Sequence, residues 1–201
     1  MQVEYDTAMK SIEKYGGFFI GRYETGNISS NTPVVRRMNT AIVNQNWYTM
    51  YSRMRNISSN VNIQTSMIWG NLWDETLQWL VDTGTKTYAE INSSTSWGNY
   101  RDATFTYRTN TSGSTATKNK NSNTIIPTGS AEYTKANNIY DLAGNVYDWT
   151  IEGNSSNYRY YRGGCFIDSS WKKSASTRNG WYPQGASASG YVGFRAYLYI
   201  K

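Results

Sequence analysis

Asn138-Ile-Tyr-Asp-Leu-Ala-Gly-Asn-Val-Tyr-Asp-Trp-Thr150 decides how this chain is read. Within these thirteen residues stand a tryptophan, Trp149, a glycine, Gly144, and two spaced aspartates, Asp141 and Asp148. Gly144 can take a positive φ that other residues rarely adopt. Trp149 supplies a large ring to bury. The stretch reads as scaffold, and the segment after it, Tyr158 to Tyr191, reads as the working surface.

Working outward, 201 residues suffice for one domain with a real core, so residues 1–201 are expected to form a single domain. The chain holds 8 Trp, 18 Tyr and 5 Phe while Leu and Ile are sparse, so large amphipathic rings must build that core. No apolar run approaches the roughly 20 residues that span a bilayer. Met1-Gln-Val-Glu-Tyr-Asp6 lacks the basic head and apolar stretch of a signal peptide. The chain reads like the C-terminal domain of something longer, whose upstream part would carry any export address. Cys165 is the only cysteine, which excludes an intrachain disulfide and a cysteine metal cage. The absence of histidine removes Ser-His-Asp and Cys-His machinery, histidine metal triads and the commonest general base.

The net charge of +6 is unevenly placed. Residues 1–156 carry 13 basic and 13 acidic side chains. Residues 157–201 carry Arg159, Arg162, Lys172, Lys173, Arg178, Arg195 and Lys201 against Asp168 alone. An anionic or mixed-polarity partner fits that segment, and so does a merely solvated basic face.

Local patterns give few regular elements. Met9 and Ile12 suggest a short helix over 7–15, ended by Gly16-Gly17, and Phe18 to Glu24 reads as a buried strand closed by a turn at Gly26-Asn27. Trp47, Met50, Tyr51, Met54 and Ile57 recur at helical spacing after candidate caps Asn44 and Asn46. A second stripe, Trp69, Trp73, Leu77 and Leu80, has Asp74 and Glu75 where a helix N-terminus favours negative charge, and Gly84 as a stop. Residues 85–137 are a polar insertion rich in Ser, Thr, Asn and Gly. Their apolar content is too thin for a second core, though Trp97, Tyr100, Phe105 and Tyr107 can pin them to the body. Residues 125–130 read as extended with a turn, and 193–200 as an alternating strand. Two clear helices, short strands and extensive loops define an α+β domain.

Ile126-Pro-Thr-Gly-Ser130, then Ala136 through Thr150, then Arg162-Gly-Gly164, Arg178 and Gly193-Phe-Arg195 occur in an order that resembles the formylglycine-generating-enzyme (sulfatase-modifying factor) family. Gly17 to Glu24 and the Trp69–Leu80 stripe fit more loosely. The resemblance implies a variant of the C-type lectin fold. It also gives the arginines of these motifs a structural job, binding carbonyls across irregular loops.

Asp141 and Asp148, with the carbonyls of Gly144 and Val146 between them, are oxygen donors of the kind hard cations take. The resemblance implies calcium at these four positions; the other reading has Asp148 accepting backbone N–H groups or pairing with an arginine. No cofactor is otherwise required. Catalysis does not carry over: the family's reactive cysteine pair follows Arg-Gly-Gly, and the matching positions here hold Asp168 and Lys173. Neither supplies a thiolate for copper or oxidation.

Between the framework residues of 158–192 lie positions of mixed chemistry. They are Tyr161, Cys165, Phe166, Asp168, Ser169, Trp171, Lys172, Lys173, Thr177, Asn179, Trp181, Tyr182, Gln184 and Tyr191. Tyr, Trp, Ser, Gly and Asn amid basic residues make a paratope-like composition without a period of 2 or 3.6. The arrangement is similar to the variable proteins of diversity-generating retroelements, in which adenine-containing codons near the 3′ end are randomised and Gly193 to Lys201 would be the invariant tail. Trp171, Lys172, Lys173, Trp181 and Gln184 cannot arise by such change from a pyrimidine-ending asparagine codon, so they need other template codons or are fixed. The resemblance implies a non-catalytic binder on a phage particle or bacterial surface, with a protein or glycan ligand on a host or neighbouring cell. An undiversified structural or adhesive module, a family oxidase and a nucleic-acid binder are the other readings, the last requiring steep salt dependence.

Overall fold

Helix α1 (Gln2–Tyr15) stops at Gly16, whose φ of 76° turns the chain and whose N–H closes onto the Ile12 carbonyl. It starts five residues earlier than the apolar pattern suggests, because Glu4, Ala8 and Ser11 form its buried face. The structure is a computed structural model and describes residues 1–27, 32–154, 157–183 and 189–201. The buried strand expected over 18–24 is only β1 (Phe19–Ile20), with Phe19 62% exposed. It is an edge strand, and the chain leaves it at Gly21 so that Glu24 can turn into the interior. Strands β2 (Gly26–Asn27) and β3 (Pro33–Val34) make a small antiparallel pair.

Asn46 caps α2 (Trp47–Arg55), its side chain accepting from the Thr49 N–H; Asn44 takes φ 58° and is not the cap. Strand β4 (Ile63–Met67) leads to α3 (Gly70–Asp82), which buries Leu72, Trp73, Thr76, Leu77 and Leu80. Its first turn carries no acid, so Asp74 and Glu75 do not serve the helix terminus; Asp74 instead pairs with Arg162. Besides α1, α2 and α3, the described residues form α4 (Tyr88–Asn92), begun by a reciprocal Thr87–Glu90 capping box.

The polar insertion departs furthest from expectation. Strands β5 (Phe105–Arg108) and β6 (Thr115–Lys118) pair as a hairpin, and Ala103, Phe105, Ile126 and Ala131 form a second, small core with Tyr107 and Tyr133 against it. Phe105 and Tyr133 stack at 4.9 Å. The expectation that residues 85–137 are too thin in apolar residues for a second core fails because Ile126 and Ala131 fold back onto Phe105, so a few separated apolar residues suffice. Lys118 is buried, its ammonium donating to the carbonyls of Tyr100, Arg101 and Ala103. Trp97 and Tyr100 enter the main core.

The remaining strands are β7 (Lys135–Ala136), β8 (Ile139–Tyr140), β9 (Tyr147–Gly153), β10 (Arg159–Arg162), β11 (Arg178–Trp181), β12 (Val192–Phe194) and β13 (Ala196–Ile200). Strands β7 and β8 pair with each other, β13 lies between β1 and β4 in a sheet of order β1-β13-β4, and the others form a four-stranded sheet of order β11-β10-β9-β12, in which only β12 runs parallel to β9. Indole N–H groups brace the irregular parts: Trp47 donates to the Thr150 carbonyl at 2.7 Å, Trp73 to Ala175 at 3.1 Å and Trp97 to Glu90 at 3.0 Å.

Arg195 lies between β12 and β13, where the chain passes from one sheet to the other. Fully buried, it donates to Asp148 Oδ2 at 3.1 Å and to the carbonyls of Gly21, Tyr140 and Asp141 at 2.9, 2.9 and 3.0 Å. Removing it strands a buried carboxylate and three carbonyls. Arg195→Met is therefore expected to lose about 3–5 kcal/mol in denaturant unfolding. Arg195→Lys should recover only part, since an ammonium cannot reproduce the fork.

Candidate functional site

Strands β10 and β11 pair with Tyr161 opposite Asn179 and Arg159 opposite Trp181. Opposed residues share a face and neighbours alternate, so Tyr161, Asn179 and Trp181 lie on one side, and Arg162 and Arg178 on the other. On the first side aromatic rings run from core to surface. Trp149 meets Tyr161 edge-on at 5.6 Å, Tyr147 meets Tyr161 at 4.4 Å, Tyr161 meets Trp181 at 6.4 Å, and Trp181 meets Tyr191 at 6.2 Å. Tyr158 and Tyr182 pair at 4.4 Å, with Tyr182 exposed. Trp181 and Tyr191 are half-buried, whereas Tyr161 is only 9% exposed. Tyr161 is thus a rung of the scaffold rather than a contact residue, because Tyr147, Trp149 and Trp181 enclose its ring.

The loop from Gly163 to Thr177 has no ladder of its own. Gly164 sits at φ 73°, and a Cβ there would run into the Lys173 carbonyl oxygen. Cys165, expected at the surface, is fully buried: its N–H and thiol both donate to Asp168 Oδ2, at 3.0 and 3.2 Å. Burial, and then the Asp168 charge, push the thiol well above its ordinary range, so it is no nucleophile.

Residues of the polar insertion hold the rest of this loop. The Arg101 N–H donates to the Asp168 carbonyl at 2.9 Å, and the Arg101 guanidinium to Ser169 Oγ at 3.3 Å. Asp102 accepts from the Ser170 N–H and hydroxyl at 3.1 and 3.0 Å. Ser94 Oγ accepts from the Ala175 N–H at 3.0 Å, and the Ile91 carbonyl from the Ser176 N–H at 3.3 Å. Sequence reasoning missed these supports. The available signal was the missing periodicity of 163–177, whose backbone groups had to find partners elsewhere. Trp171 and Lys172 project into solvent, Trp171 61% exposed with the Lys172 ammonium 4.7 Å from its ring. Phe166, Asp168, Ser169, Lys173, Thr177 and Asn179 are half-buried, and Gln184 lies outside the described residues.

Much of the basic excess is compensated internally. Arg162 pairs with Asp74, Arg178 with Glu152 at 2.5 Å, and Arg195 with Asp148. Arg159 lies over the Trp47 ring at 4.6 Å and Arg178 over Tyr160 at 3.6 Å. Arg162 and Arg195 are buried, whereas Lys172, Arg178 and Lys201 stay exposed, so the cationic surface that the composition suggests is only partly neutralised.

The expected metal positions sit beneath this face. Asp141 Oδ2 accepts from the Thr128 hydroxyl at 3.0 Å and the Gly129 N–H at 2.9 Å, and Asp148 Oδ2 takes Arg195. Glu24 accepts from the Val146 N–H at 3.0 Å and the Asn145 amide at 2.5 Å. Gly144 has φ 73°, and a Cβ there would meet the Asn99 backbone. Three buried carboxylates thus face one guanidinium. Burial is the largest cause raising each of them, adjacent acids add to the rise in Glu24 and Asp148, and Asp148 reaches about 6. The Oδ1 atoms of Asp141 and Asp148 are buried without a hydrogen-bond partner. Among the described residues no three His, Cys, Asp or Glu side chains are grouped to hold a metal, so a cation here would use those two oxygens and main-chain carbonyls.

The model of the sulfatase-modifying factor enzyme 1-like domain matches residues 64–198, and the chain belongs to that family. Among solved structures, Treponema denticola variable protein 1 is similar at 15% identity and a TM-score of 0.49, over 87% of this chain and 77% of that one. CarF is similar at 19% identity and a TM-score of 0.40, over 69% of this chain and 48% of that one. No curated protein matches by sequence.

The ring ladder separates scaffold from surface at a definite rung. Tyr161→Ala should cost about 3–5 kcal/mol by opening a cavity between Tyr147 and Trp149. Trp181→Ala, at the half-exposed end, should cost less than half as much. Equal losses in melting experiments would contradict the division.

Proposed function

We propose that this chain is a non-catalytic binding protein that displays a diversified surface on a C-type-lectin-like domain, of the kind made by a diversity-generating retroelement. One observation carries the reading. The loop from Gly163 to Thr177 has its backbone fastened by Ser94, Asp102, Arg101 and Ile91, residues outside the segment that would vary. Side chains such as Trp171, Lys172, Trp181 and Tyr182 can then change without disturbing what holds the loop in place. Against catalysis stand Asp168 and Lys173 at the positions matching the family's thiols, and a buried, protonated Cys165. The ligand is a protein or glycan on a host or neighbouring cell, and the chain is mounted on a phage particle or bacterial surface. Nucleic acid is disfavoured because Arg162, Arg178 and Arg195 already pair with carboxylates.

The DNA beside the gene tests this directly. A near-copy of the 3′ end and a reverse transcriptase gene are expected nearby. Sister sequences from the same locus should differ at exposed positions such as Tyr182 and keep Cys165, Gly164 and Arg162. A locus with neither element would leave an undiversified structural or adhesive module as the better account.

We also propose calcium at Asp141, Gly144, Val146 and Asp148, supported by the two orphaned Oδ1 atoms. The ion would supply the positive charge that one guanidinium leaves short. Without it protons must do so. Carboxylates whose pKa is raised on folding lend stability that is full below their unfolded values and is lost as pH rises through the folded ones. In chelator the melting temperature should therefore fall as pH rises through about 6, the value for Asp148. Added calcium should restore it on the alkaline side; an identical profile with and without calcium would count against the ion.

A further inference from the structure

Helix α3 carries one tryptophan away from its buried stripe. Trp69 and Trp73 enter the core, whereas Trp79 is 44% exposed. Among the described residues its ring meets no other aromatic ring and no cation. A lone exposed ring is ordinary on a protein surface. This one is not alone, because it lines a groove of about 520 Å³ between α3, the chain around β1 and the start of β8.

The groove has an apolar side and a polar side. Half-buried Phe18 and Ile20 and buried Ile139 line it with Trp79. Phe18 and Ile20 are two residues apart in extended chain and so present the same side of it. The exposed polar side chains of the lining are Arg22, Glu75 and Asn138. Arg22 and Glu75 are opposite in charge, yet neither enters an ion pair among the described residues. The Asn138 carboxamide has no hydrogen-bond partner among them either. No further charged residue lines the groove, so its two charges cancel.

A pocket of this size with an apolar wall and a few convergent polar groups is built to take a small ligand or one unit of a larger one. A guanidinium, a carboxylate and a carboxamide are planar groups, each able to bond two adjacent hydroxyls at once. A wholly apolar ligand would cover these three groups and leave them unpaired. A ligand of strong single charge would gain at one of Arg22 and Glu75 and lose at the other. What satisfies all of them is a neutral ring with a C–H face and neighbouring hydroxyls. We propose that this groove binds a neutral pyranose unit of a saccharide chain, stacked on Trp79 and hydrogen-bonded by Arg22, Glu75 and Asn138. No residue of 158–191 lines it, so the site is separate from the face discussed above and does not depend on that reading. It would stay constant while that face varied.

Saturation-transfer NMR on the full chain tests the proposal with cellotetraose, maltotetraose and chitotetraose as neutral saccharides, and N-acetyl-phenylalanine methylamide as an apolar probe. At least one saccharide should receive saturation, strongest at the C–H protons of one ring face, and the apolar probe far less. Trp79→Ala should weaken that binding about tenfold. Glu75→Ala should weaken it several-fold, and neither substitution should move the melting temperature much, since both side chains are exposed and unpartnered. No transfer to any saccharide, equal transfer to the apolar probe, or binding unchanged by Trp79→Ala would each overturn the site. Binding lost in Trp171→Ala but kept in Trp79→Ala would also overturn it, by assigning the saccharide to the 158–191 face instead.

Discussion

Arg195 sits where one strand of the four-stranded sheet becomes a strand of the other sheet, and its guanidinium ties together three other stretches of chain, at Gly21, Tyr140-Asp141 and Asp148. Each of its bonds goes to a group that irregular structure leaves unpaired: the carbonyls of Gly21, Tyr140 and Asp141, and the carboxylate of Asp148. In a fold with long ladders such carbonyls would find N–H partners in a neighbouring strand. Here the strands are mostly two to five residues, so a side chain with a fixed fork of donors does that work. The same reasoning covers the indoles of Trp47, Trp73 and Trp97, each of which reaches a carbonyl across the core. Apolar area comes from the rings; chain direction comes from their N–H groups and from buried arginine.

That construction explains which parts were legible in the sequence. The Trp47 and Trp69 stripes gave α2 and α3 because helical periodicity is local, and Asn46 could be read as a cap for the same reason. Arg162, Arg195 and Gly144 were recognisable as framework because the order of motifs implied a family. What was not legible depends on distant pairing. Phe19 looks like a core residue in sequence, yet it is exposed on the two-residue edge strand β1. The second core needs Ile126 and Ala131 to return to Phe105, a contact that no local count reveals. Asp74 resembles a helix-terminus acid until the register brings Arg162 beside it.

The candidate site was legible in composition but not in depth. Tyr, Trp, Ser and Asn between glycines and arginines marked residues 158–191 as a surface, and Trp171, Lys172 and Tyr182 are exposed there. Composition does not tell a surface tyrosine from one that supports it. Tyr161 and Cys165 belong to the support, one enclosed between rings and the other bonded to Asp168. Beside them in sequence, Tyr160 and Phe166 are half-buried and Arg162 is buried against Asp74, which composition does not reveal either.

A surface can vary only if its backbone does not depend on its side chains. In residues 163–177 several amide and carbonyl groups find partners beyond the loop itself. Ser94, Arg101, Asp102 and the Ile91 carbonyl meet one side of it, and the Trp73 indole takes the Ala175 carbonyl. The polar insertion, which in sequence looks like loosely structured filler, is therefore the clamp that frees Trp171 and Lys172 from any structural duty. The clamp has one exception. Asp168 uses its side chain to hold Cys165 while remaining half-buried, so it is tied to both scaffold and surface. A charge in that position cannot be exchanged as freely as Trp171 can.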